Sequence, residues 1–280
     1  MIVHIIDVTY GENDDEEILI YIWGVAERGK STLIIVKFDI WFYIISDCMI
    51  HTYGDILEEV HKITKEEVRC VKEKRRRVYG WKSDSMNPKQ PKQFDTLKIL
   101  FTKVSHRRRA NYALQREIKG ITICEAYIDP VNQFCDSANF SPGDFINLDD
   151  KLITSDLNQY STISHCDFEM EADACDISIC SPDASFFHYR VISFDIECYS
   201  HTREFPLPQR VYDACFQIGI VSAQIFIGKD PLVTEEVVLC LGTTPGYKSY
   251  TTEEDLLVAF HEYIIKNDPD IIIGYNTQGN

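Results

Sequence analysis

A largely apolar run that ends in two carboxylates constrains this chain more than any other feature. Tyr189 to Phe194 has the length and composition of a buried strand, and Asp195 and Glu197 follow it one residue apart. Side chains two residues apart along a strand point to the same face of the sheet. The pattern therefore predicts that the two carboxylates stand side by side while Ile196 faces the core.

Two like charges in that position favour a cation between them. Mg²⁺ prefers carboxylate and water oxygens, and it commonly combines one or two protein carboxylates with phosphate oxygens. Asp195 and Glu197 are therefore candidates for half of a metal site that serves phosphate chemistry. The alternative is an exposed strand end at which both carboxylates are solvated, and the pair by itself does not decide between the two.

A second candidate site is a P-loop pattern near the N-terminus. Gly24 to Ser31 satisfies G-x-x-x-x-G-K-[ST] in full. A P-loop works because it leads from a strand into the N-terminus of a helix, whose free N–H groups bind the phosphates. Here the following residues, Thr32 to Val36, are β-branched and apolar, which favours a second strand. We therefore expect a hairpin, and a nucleotide site that uses Lys30 is the less favoured interpretation.

The net charge of −16 argues against a nucleic-acid partner until its distribution is considered. Residues 61–119 carry 18 Lys and Arg against 6 Asp and Glu, a local charge of +12. A basic segment can follow a phosphate backbone even on an acidic protein, although a solvated helix face is the alternative. Within the segment, Tyr79 and Trp81 lie beside arginines and either stack on unpaired bases or belong to the local core.

Cysteine usage and hydropathy indicate an intracellular protein without a membrane partner. The ten cysteines are scattered, and a chain of 280 residues does not need disulfides to fold. The set that could suggest zinc matches no finger or ribbon spacing: His165, Cys166, Cys175 and Cys180. The N-terminus lacks the basic stretch of a signal peptide, and no apolar run approaches the ~18 residues of a spanning helix.

Apolar periodicity predicts strands and helices along the whole chain. In the first two thirds we expect consecutive strands in 1–50, one or two amphipathic helices in 51–74, a strand over 96–104, a short helix through 119, and a β-rich module in 120–187. After the central strand we expect strands over 216–227 and 235–241, a helix opened by a capping box at 251–254, and a buried strand over 271–273. Such a mixed sheet suits a ribonuclease-H-like nuclease.

Five stretches in the last third share their order and spacing with one known family: Ser193–Cys198, Phe205–Pro208, Phe216–Gly219, Glu254–Leu257 and Asp268–Asn276. Together they resemble the 3′→5′ proofreading exonuclease domain of family B DNA polymerases, in particular the eukaryotic delta-type and large-DNA-virus enzymes. Trp23-Gly24 and Phe38–Ile44 look like the hairpin and strand that open the N-terminal domain of that family. The resemblance covers most of the chain except residues 130–186.

The resemblance implies a two-metal exonuclease site. Asp195 and Glu197 fall on the first exonuclease motif, where Asp195 would bridge two divalent ions, Mg²⁺ or Mn²⁺, and Glu197 would hold the ion that activates water. Tyr275 and Asn276 fall on the second motif, near the frayed primer end, and Phe194 is a further candidate substrate contact. The implied partners are DNA, as primer 3′ end and single-stranded template, the remainder of a polymerase chain and a candidate processivity factor.

Departures from the family pattern lower the expected activity. In the family the second motif continues to a Phe-Asp pair, but here Asn280 stands where the Phe would be, and the third motif and every polymerase motif are absent. We therefore expect the N-terminal portion of a DNA-directed DNA polymerase that hydrolyses little or nothing by itself. The alternative is a non-catalytic nucleic-acid-binding module with a ribonuclease-H-like fold.

The predicted fold class is α/β with two domains. Residues 1–186 are expected to form an α+β, β-rich N-terminal polymerase domain that contains the basic segment 61–119. Residues 187–280 are expected to form the first part of a ribonuclease-H-like exonuclease domain. The expected location is intracellular, in the nucleus or at a viral replication site.

Overall fold

The computed structural model describes residues 1–46, 53–76, 93–148, 163–184, 187–202 and 204–275. Within these ranges the strands are β1 Ile2–Glu12, β2 Ile18–Ala26, β3 Lys30–Lys37, β4 Ile40–Ser46, β5 Arg69–Arg76, β6 Gln93–Phe101, β7 Ile121–Cys124, β8 Phe145–Leu148, β9 Phe168–Glu171, β10 Ile177–Cys180, β11 His188–Tyr199, β12 Ala214–Phe226, β13 Leu232–Leu241, β14 Lys248–Tyr250 and β15 Ile271–Gly274. The helices are α1 Tyr53–Thr64, α2 Val104–Glu117, α3 Pro130–Ala138 and α4 Glu253–Asn267.

The chain divides into two compact units. The first comprises Met1–Gly24 and Thr32–Cys180, and the second comprises Val25–Ser31 and Ser181–Asn280. In the part of the chain that the structure describes, no helix is long and apolar enough to cross a membrane.

Two sheets build the first unit. One has six strands in the order β10-β8-β1-β2-β3-β9, and the other has four strands in the order β5-β6-β4-β7. The four-stranded sheet arises from a β4-α1-β5-β6-α2-β7 segment, so its two central strands come from the two halves of that segment. Strand β4 is nearly all apolar and nearly all buried, as expected for a strand paired on both sides.

A side chain of α3 completes the hydrogen bonding of β4. Gln133 accepts from the Trp41 amide at 3.2 Å and donates to the Trp41 carbonyl at 2.9 Å. Its oxygen also accepts from the buried Arg107 of α2 at 3.0 Å. Because β7 pairs only from Tyr43 onward, Gln133 takes the place of a neighbouring strand at Trp41.

The second unit is a five-stranded mixed sheet with α4 packed on one face. Its order is β14-β13-β12-β11-β15, with β11 antiparallel to β12 and parallel to β15. The core between sheet and helix includes Ile192, Ile220 and Leu239 from the strands and Leu256 and Tyr263 from α4. The sequence predicts four of these five strands and the helix, whereas the short edge strand β14 was not predicted.

The P-loop pattern lies in a hairpin, as predicted. Strand β2 ends at Ala26, β3 begins at Lys30, and the two are neighbours in the sheet. Arg28 and Gly29 both have left-handed φ angles, 66° and 70°, and two successive residues of this kind match the twist of a hairpin. No helix N-terminus follows, so the residues around Lys30 lack the geometry that a P-loop needs for phosphates.

Three sequence predictions about elements are wrong. Residues 69–76 form strand β5, not a helix, because Lys65 adopts a left-handed φ of 60° just after α1 and the chain then pairs with β6. The strand predicted to Val104 ends at Phe101, and Val104 already opens α2. The module expected to be made of strands in 120–187 contains the helix α3.

Candidate active site

Strand β11 holds both predicted metal ligands near its carboxyl end. Asp195 pairs with Gly219 and Glu197 pairs with Gln217 on β12, and both carboxylates are exposed. They lie on the face of the strand opposite to Ile192, which is in the core beneath α4. The register therefore places the two carboxylates side by side on the sheet face that does not pack on α4.

The side chains of Ile196 and Phe194, which neighbour the two carboxylates, need separate comment. Ile196 is not where the sequence predicts it, and Phe194 packs in the core. Ile196 was expected in the core, but 48% of it is exposed, because the core contacts on this strand are made by its neighbours and a β-bulge follows Glu197. Phe194 lies on the core side, where its ring centroid is 5.1 Å from that of Phe260. The described contacts give Phe194 a packing role, and its contact with substrate stays a prediction.

Strand β15 brings the second predicted motif to the same edge of the sheet. It runs parallel to β11, with Phe194 opposite Gly274, so the next residues, Asp195 and Tyr275, follow from neighbouring strands. Tyr275 is 93% exposed, and its ring is free to contact a ligand at this edge. Asn276, the other predicted substrate contact, lies outside the described residues.

The surroundings of the carboxylates suit a hard cation. Asp195 accepts a hydrogen bond from the adjacent amide of Ile196 at 3.0 Å, and within the described ranges no Lys, Arg or His forms an ion pair with Asp195 or Glu197. Opposite Asp195, a Cβ atom added to Gly219 would meet no atom within 4 Å. Uncompensated carboxylates beside open space are the donor set that Mg²⁺ or Mn²⁺ takes, with water and phosphate oxygens completing the coordination.

A pair of thiols lies directly beside the metal-ligand candidates. Cys198 is opposite Cys215 across the β11–β12 pair, immediately after the bulge at Glu197. Burial, reinforced by the Cys198 thiol, raises the pKa of Cys215 to about 11, so this thiol stays protonated at neutral pH. The Cys215 amide donates to the Glu253 carboxylate at 2.7 Å, which ties the start of β12 to the first turn of α4.

Sequence reasoning missed the residue that organises the loop after β11. Only 2% of the Asp213 side chain is exposed, and its carboxylate accepts from the Leu207 amide at 3.0 Å with Arg210 3.7 Å away. The Leu207 hydrogen bond is the main cause that lowers the pKa of Asp213. Arg210 also donates to Thr202 at 2.9 Å. The loop between β11 and β12 is therefore crosslinked internally by non-covalent contacts, namely hydrogen bonds and an ion pair. A charged residue just before the strand at Ala214 was the available signal.

That loop presents apolar side chains to solvent at the end of β11. The exposed fractions are 78% for Phe205, 89% for Val211 and 71% for Tyr212. Rings exposed on a crosslinked loop lose little conformational entropy when they bind, and unpaired bases stack readily on aromatic side chains. Phe205 belongs to one of the five stretches that carry the family resemblance, but no contact with substrate was predicted for it.

The other candidate sites receive less support. Among the described residues, the one group of three or more potential ligands is Asp173, Cys175 and Asp176, a partly exposed helical turn whose two aspartates form a capping box. His165, Cys166 and Cys180 are not part of it, and no disulfide joins the described cysteines. Tyr79 and Trp81 lie outside the described residues, so their stacking on bases stays a prediction.

Comparison with known proteins connects this geometry to one family. The profile described as "DNA polymerase family B, exonuclease domain" matches residues 121–279. The chain belongs to this family. The matched residues of the family B exonuclease domain include β11, β12, α4 and β15, and they begin in the first compact unit. Membership of this family implies the use of divalent metal ions.

Relatives of this family B chain come from viruses and from eukaryotes. It is 24% identical over 270 residues to the DNA polymerase of Paramecium bursaria Chlorella virus NY2A, covering 92% of this chain and 27% of that protein. It is 34% identical over 122 residues to the DNA polymerase delta catalytic subunit of Dictyostelium discoideum, covering 41% of this chain and 10% of that protein. The chain therefore spans about a quarter or less of these relatives.

A solved structure supports the fold. The family B DNA polymerase from the hyperthermophilic archaeon Pyrobaculum calidifontis matches with a TM-score of 0.63 at 19% identity, covering 100% of this chain and 31% of that one. At this identity the likeness concerns the fold, which is mixed α/β as predicted. Family membership does not favour the alternative of a non-catalytic binding module.

Proposed function

We propose that the chain is the N-terminal portion of a DNA-directed DNA polymerase of family B and carries part of its two-metal 3′→5′ exonuclease site. The observation that carries this proposal is the pair of exposed, uncompensated carboxylates of Asp195 and Glu197 on one sheet face, beside the strand that leads to Tyr275. The family B relatives are named DNA polymerases, which makes DNA the substrate class. The division into a polymerase domain over 1–186 and a nuclease domain over 187–280 is part of the proposal.

Asp195 and Glu197 would hold the divalent ions. When bound, such ions lower the pKa of a coordinated water and stabilise the leaving 3′ oxygen of the phosphodiester. Asp195 would contribute oxygens to both ions, and Glu197 would contribute to the one that activates water.

The neighbouring aromatic residues would orient the DNA strand. Tyr275 follows β15 beside Asp195, and Phe205 projects from the loop crosslinked by Asp213. An exposed ring offers a stacking surface to an unpaired base regardless of its sequence, which suits an enzyme that must accept any frayed primer end. The crosslinked loop would keep such a ring at a fixed distance from the carboxylates.

The experiment that tests the proposal is degradation of 5′-labelled single-stranded DNA with Mg²⁺ or Mn²⁺. It is run on this chain and on a version extended through whatever the gene encodes next, because two carboxylates alone bind metal weakly. We expect 3′→5′ shortening by the extended version. Asp195→Asn should reduce the rate by more than about 100-fold, since altering even a residue that supports a metal ligand costs roughly 10- to 100-fold.

Asp230→Asn is the matched control, because it removes an exposed carboxylate from the turn between β12 and β13 of the same unit. It should leave the rate unchanged. An extended version that binds DNA and never shortens it, or that keeps its activity after Asp195→Asn, would overturn the assignment of Asp195 and Glu197. We further propose an intracellular location, in the nucleus or at a viral replication site, and a processivity factor as a partner.

A further inference from the structure

Strand β15 is too short and too exposed for burial alone to set its register against β11. It pairs with β11 over four residues, Ile271–Gly274, and in the part of the chain that the structure describes no strand pairs with its other side. Half of each of Ile272 and Ile273 is exposed. Burial specifies the register of a strand only weakly where its side chains stay exposed. The register therefore requires another determinant.

Arg190 and Asp270, which come just before the paired residues, supply that determinant. The Asp270 amide donates to the Arg190 carbonyl at 2.8 Å, and the Asp270 carboxylate accepts from the Arg190 amide at 2.7 Å. The backbone ahead of Asp270 turns at Asp268, whose φ of 44° is left-handed, so a side chain takes the place that a carbonyl has in a continuous ladder. We refer to Arg190 and Asp270 as the register clamp.

The side chain of Arg190 strengthens the same attachment. Its Nε lies 3.8 Å from the carboxylate of Asp270, whose side chain is only 5% exposed. Burial raises the pKa of Asp270, whereas the amide and the guanidinium of Arg190 favour its charged form. The guanidinium also donates to the exposed carboxylate of Asp268 at 2.9 Å, which ties the end of α4 to β11.

The register clamp lies at an equal distance from two candidate functional residues. Asp195 is five residues after Arg190, and Tyr275 is five residues after Asp270. Because β11 and β15 are parallel and hydrogen-bonded in between, the offset set at the clamp is kept about 17 Å further along, at Asp195 and Tyr275. A slip of one residue would move Tyr275 by about 3.3 Å along the strand and turn its ring to the other face.

We propose that the register clamp positions Tyr275, and the chain that follows it, for the 3′ end of the DNA strand. Arg190 and Asp270 are positioning residues, because they act through β15 and lie at the opposite end of the β11–β15 pair from Asp195. The inference rests on the proposed function, and it names what sets the geometry of the second motif at that site. A purely structural role of the two residues predicts different outcomes in the measurements below.

The first measurement is amide hydrogen exchange, followed by mass spectrometry, on the 280-residue chain. Asp270→Ala should accelerate exchange in β15 about 10-fold or more, because the Arg190 amide loses its acceptor and the short ladder opens. Exchange in β13 of the same sheet should be unchanged. Asp270→Asn should retain most of the protection, since its side-chain oxygen still accepts from that amide. Unchanged exchange in β15, or equal acceleration in β13, would overturn the proposal.

The second measurement is the steady-state kinetics of DNA shortening by the extended version. Asp270→Ala should raise the KM for single-stranded DNA about 10-fold, and by more than it lowers kcat, because displacement of a positioning group is costly. Asp270→Asn should have a KM close to that of the unmodified version. A fall in kcat at unchanged KM would indicate a loss of folded protein, and it would overturn the proposal.

Asp268→Asn is the matched control. It removes the exposed carboxylate that pairs with the same guanidinium, and exposed ion pairs contribute little to stability. Both the exchange in β15 and the KM should be unchanged. The exchange measurement contains neither DNA nor metal, so a failure of the register clamp appears there even when the extended version is active. A failure of the proposed function appears instead as no shortening of DNA by the unmodified extended version.

Discussion

Asp213 stabilises the loop beside the candidate active site although it contacts neither of the predicted metal-binding residues, Asp195 and Glu197. Its carboxylate is almost wholly enclosed and accepts the Leu207 amide, while Arg210 and His201 lie within ion-pair range. A hydrogen-bonded carboxylate of this kind is costly to remove, because the amide that it satisfies is then left without a partner. The geometry of the loop therefore depends on one buried charge.

Asp213→Ala should accelerate amide hydrogen exchange in the loop over 200–213, because the Leu207 amide loses its acceptor. The lowered pKa of Asp213 means that its stabilising effect is present above the ordinary Asp pKa of about 3.9 and disappears as the pH falls through the lower value of the folded state. In the unmodified chain, protection of the loop should therefore be lost in strong acid. Hydrogen exchange measured by mass spectrometry would check both effects.

Asp230→Ala serves as the control for this prediction, since Asp230 is exposed in the turn between β12 and β13. It should leave exchange in the loop unchanged. Equal protection in Asp213→Ala and the unmodified chain would show that the loop is held by its prolines and by Arg210 without the carboxylate.

At the scale of elements, the sequence identifies the last third of the chain better than the first. Alternation and capping signals are local, so they place β11, β12, β13, α4 and β15 within a few residues. The side-by-side placement of Asp195 and Glu197 also follows from strand geometry alone. The exposure of Ile196 could not be predicted, because it depends on a bulge and on which neighbours fill the core.

In the first unit, local signals were outweighed by pairing between distant strands. The charges in residues 69–76 are spaced in a way that fits a helix as well as a strand. These residues form a strand because they pair with β6. The start of α3 shows the opposite case. Asp129 caps this helix by accepting from the Val131 amide, and Pro130 occupies its first turn, so a readable signal was missed. The crosslinks of Asp213 required three-dimensional information.

Helix α4 allows a test of one such local signal. Its N-cap is Thr252, whose hydroxyl accepts from the Asp255 amide at 3.1 Å, one residue later than the predicted capping box. Thr252→Ala should lower the free energy of unfolding of the second unit by about 1 kcal/mol, because that amide loses its partner. Urea denaturation followed by circular dichroism would measure the change.

Two further variants identify which threonine caps the helix. Thr252→Ser keeps the hydroxyl and should be nearly neutral, and Thr251→Ala should change the free energy by less than about 0.5 kcal/mol, as is usual for surface positions. A larger effect at Thr251 than at Thr252 would contradict the cap seen in the structure.

At the scale of the whole molecule, opposite charges are separated along the chain. The total is −16, although residues 61–119 carry a local charge of +12. Salt at physiological concentration screens charges beyond about 8 Å, so each region acts on its own surroundings. An acidic protein can therefore offer a basic surface to a phosphate backbone and acidic groups to cations.

Cation binding at Asp195 and Glu197 should raise the stability of the folded chain by mass action. At a Mn²⁺ concentration ten times the dissociation constant, the gain is about 1.4 kcal/mol, provided that the unfolded chain does not bind. For a domain of ordinary size, each 1 kcal/mol raises the melting temperature by about 2–8 °C. A thermal melt monitored during a Mn²⁺ titration at constant ionic strength would show a saturable rise.

Two double variants test whether the rise in melting temperature comes from cation binding at Asp195 and Glu197. Asp195→Asn combined with Glu197→Gln should abolish it. Asp173→Asn combined with Asp176→Asn, which removes two carboxylates of the first unit, should preserve it. The reverse pattern would show that the cation binds in the first unit and not at Asp195 and Glu197.

The position of β15 affects how the chain behaves in concentrated solution. Within the described residues β15 is the outermost strand on its side of the sheet, and half of each of Ile272 and Ile273 is exposed. An outer strand with free N–H and C=O groups and apolar side chains is a template for pairing with a strand of another molecule. The strand that brings Tyr275 beside Asp195 is therefore also the point at which copies of the chain would aggregate, and the net charge of −16 opposes their approach.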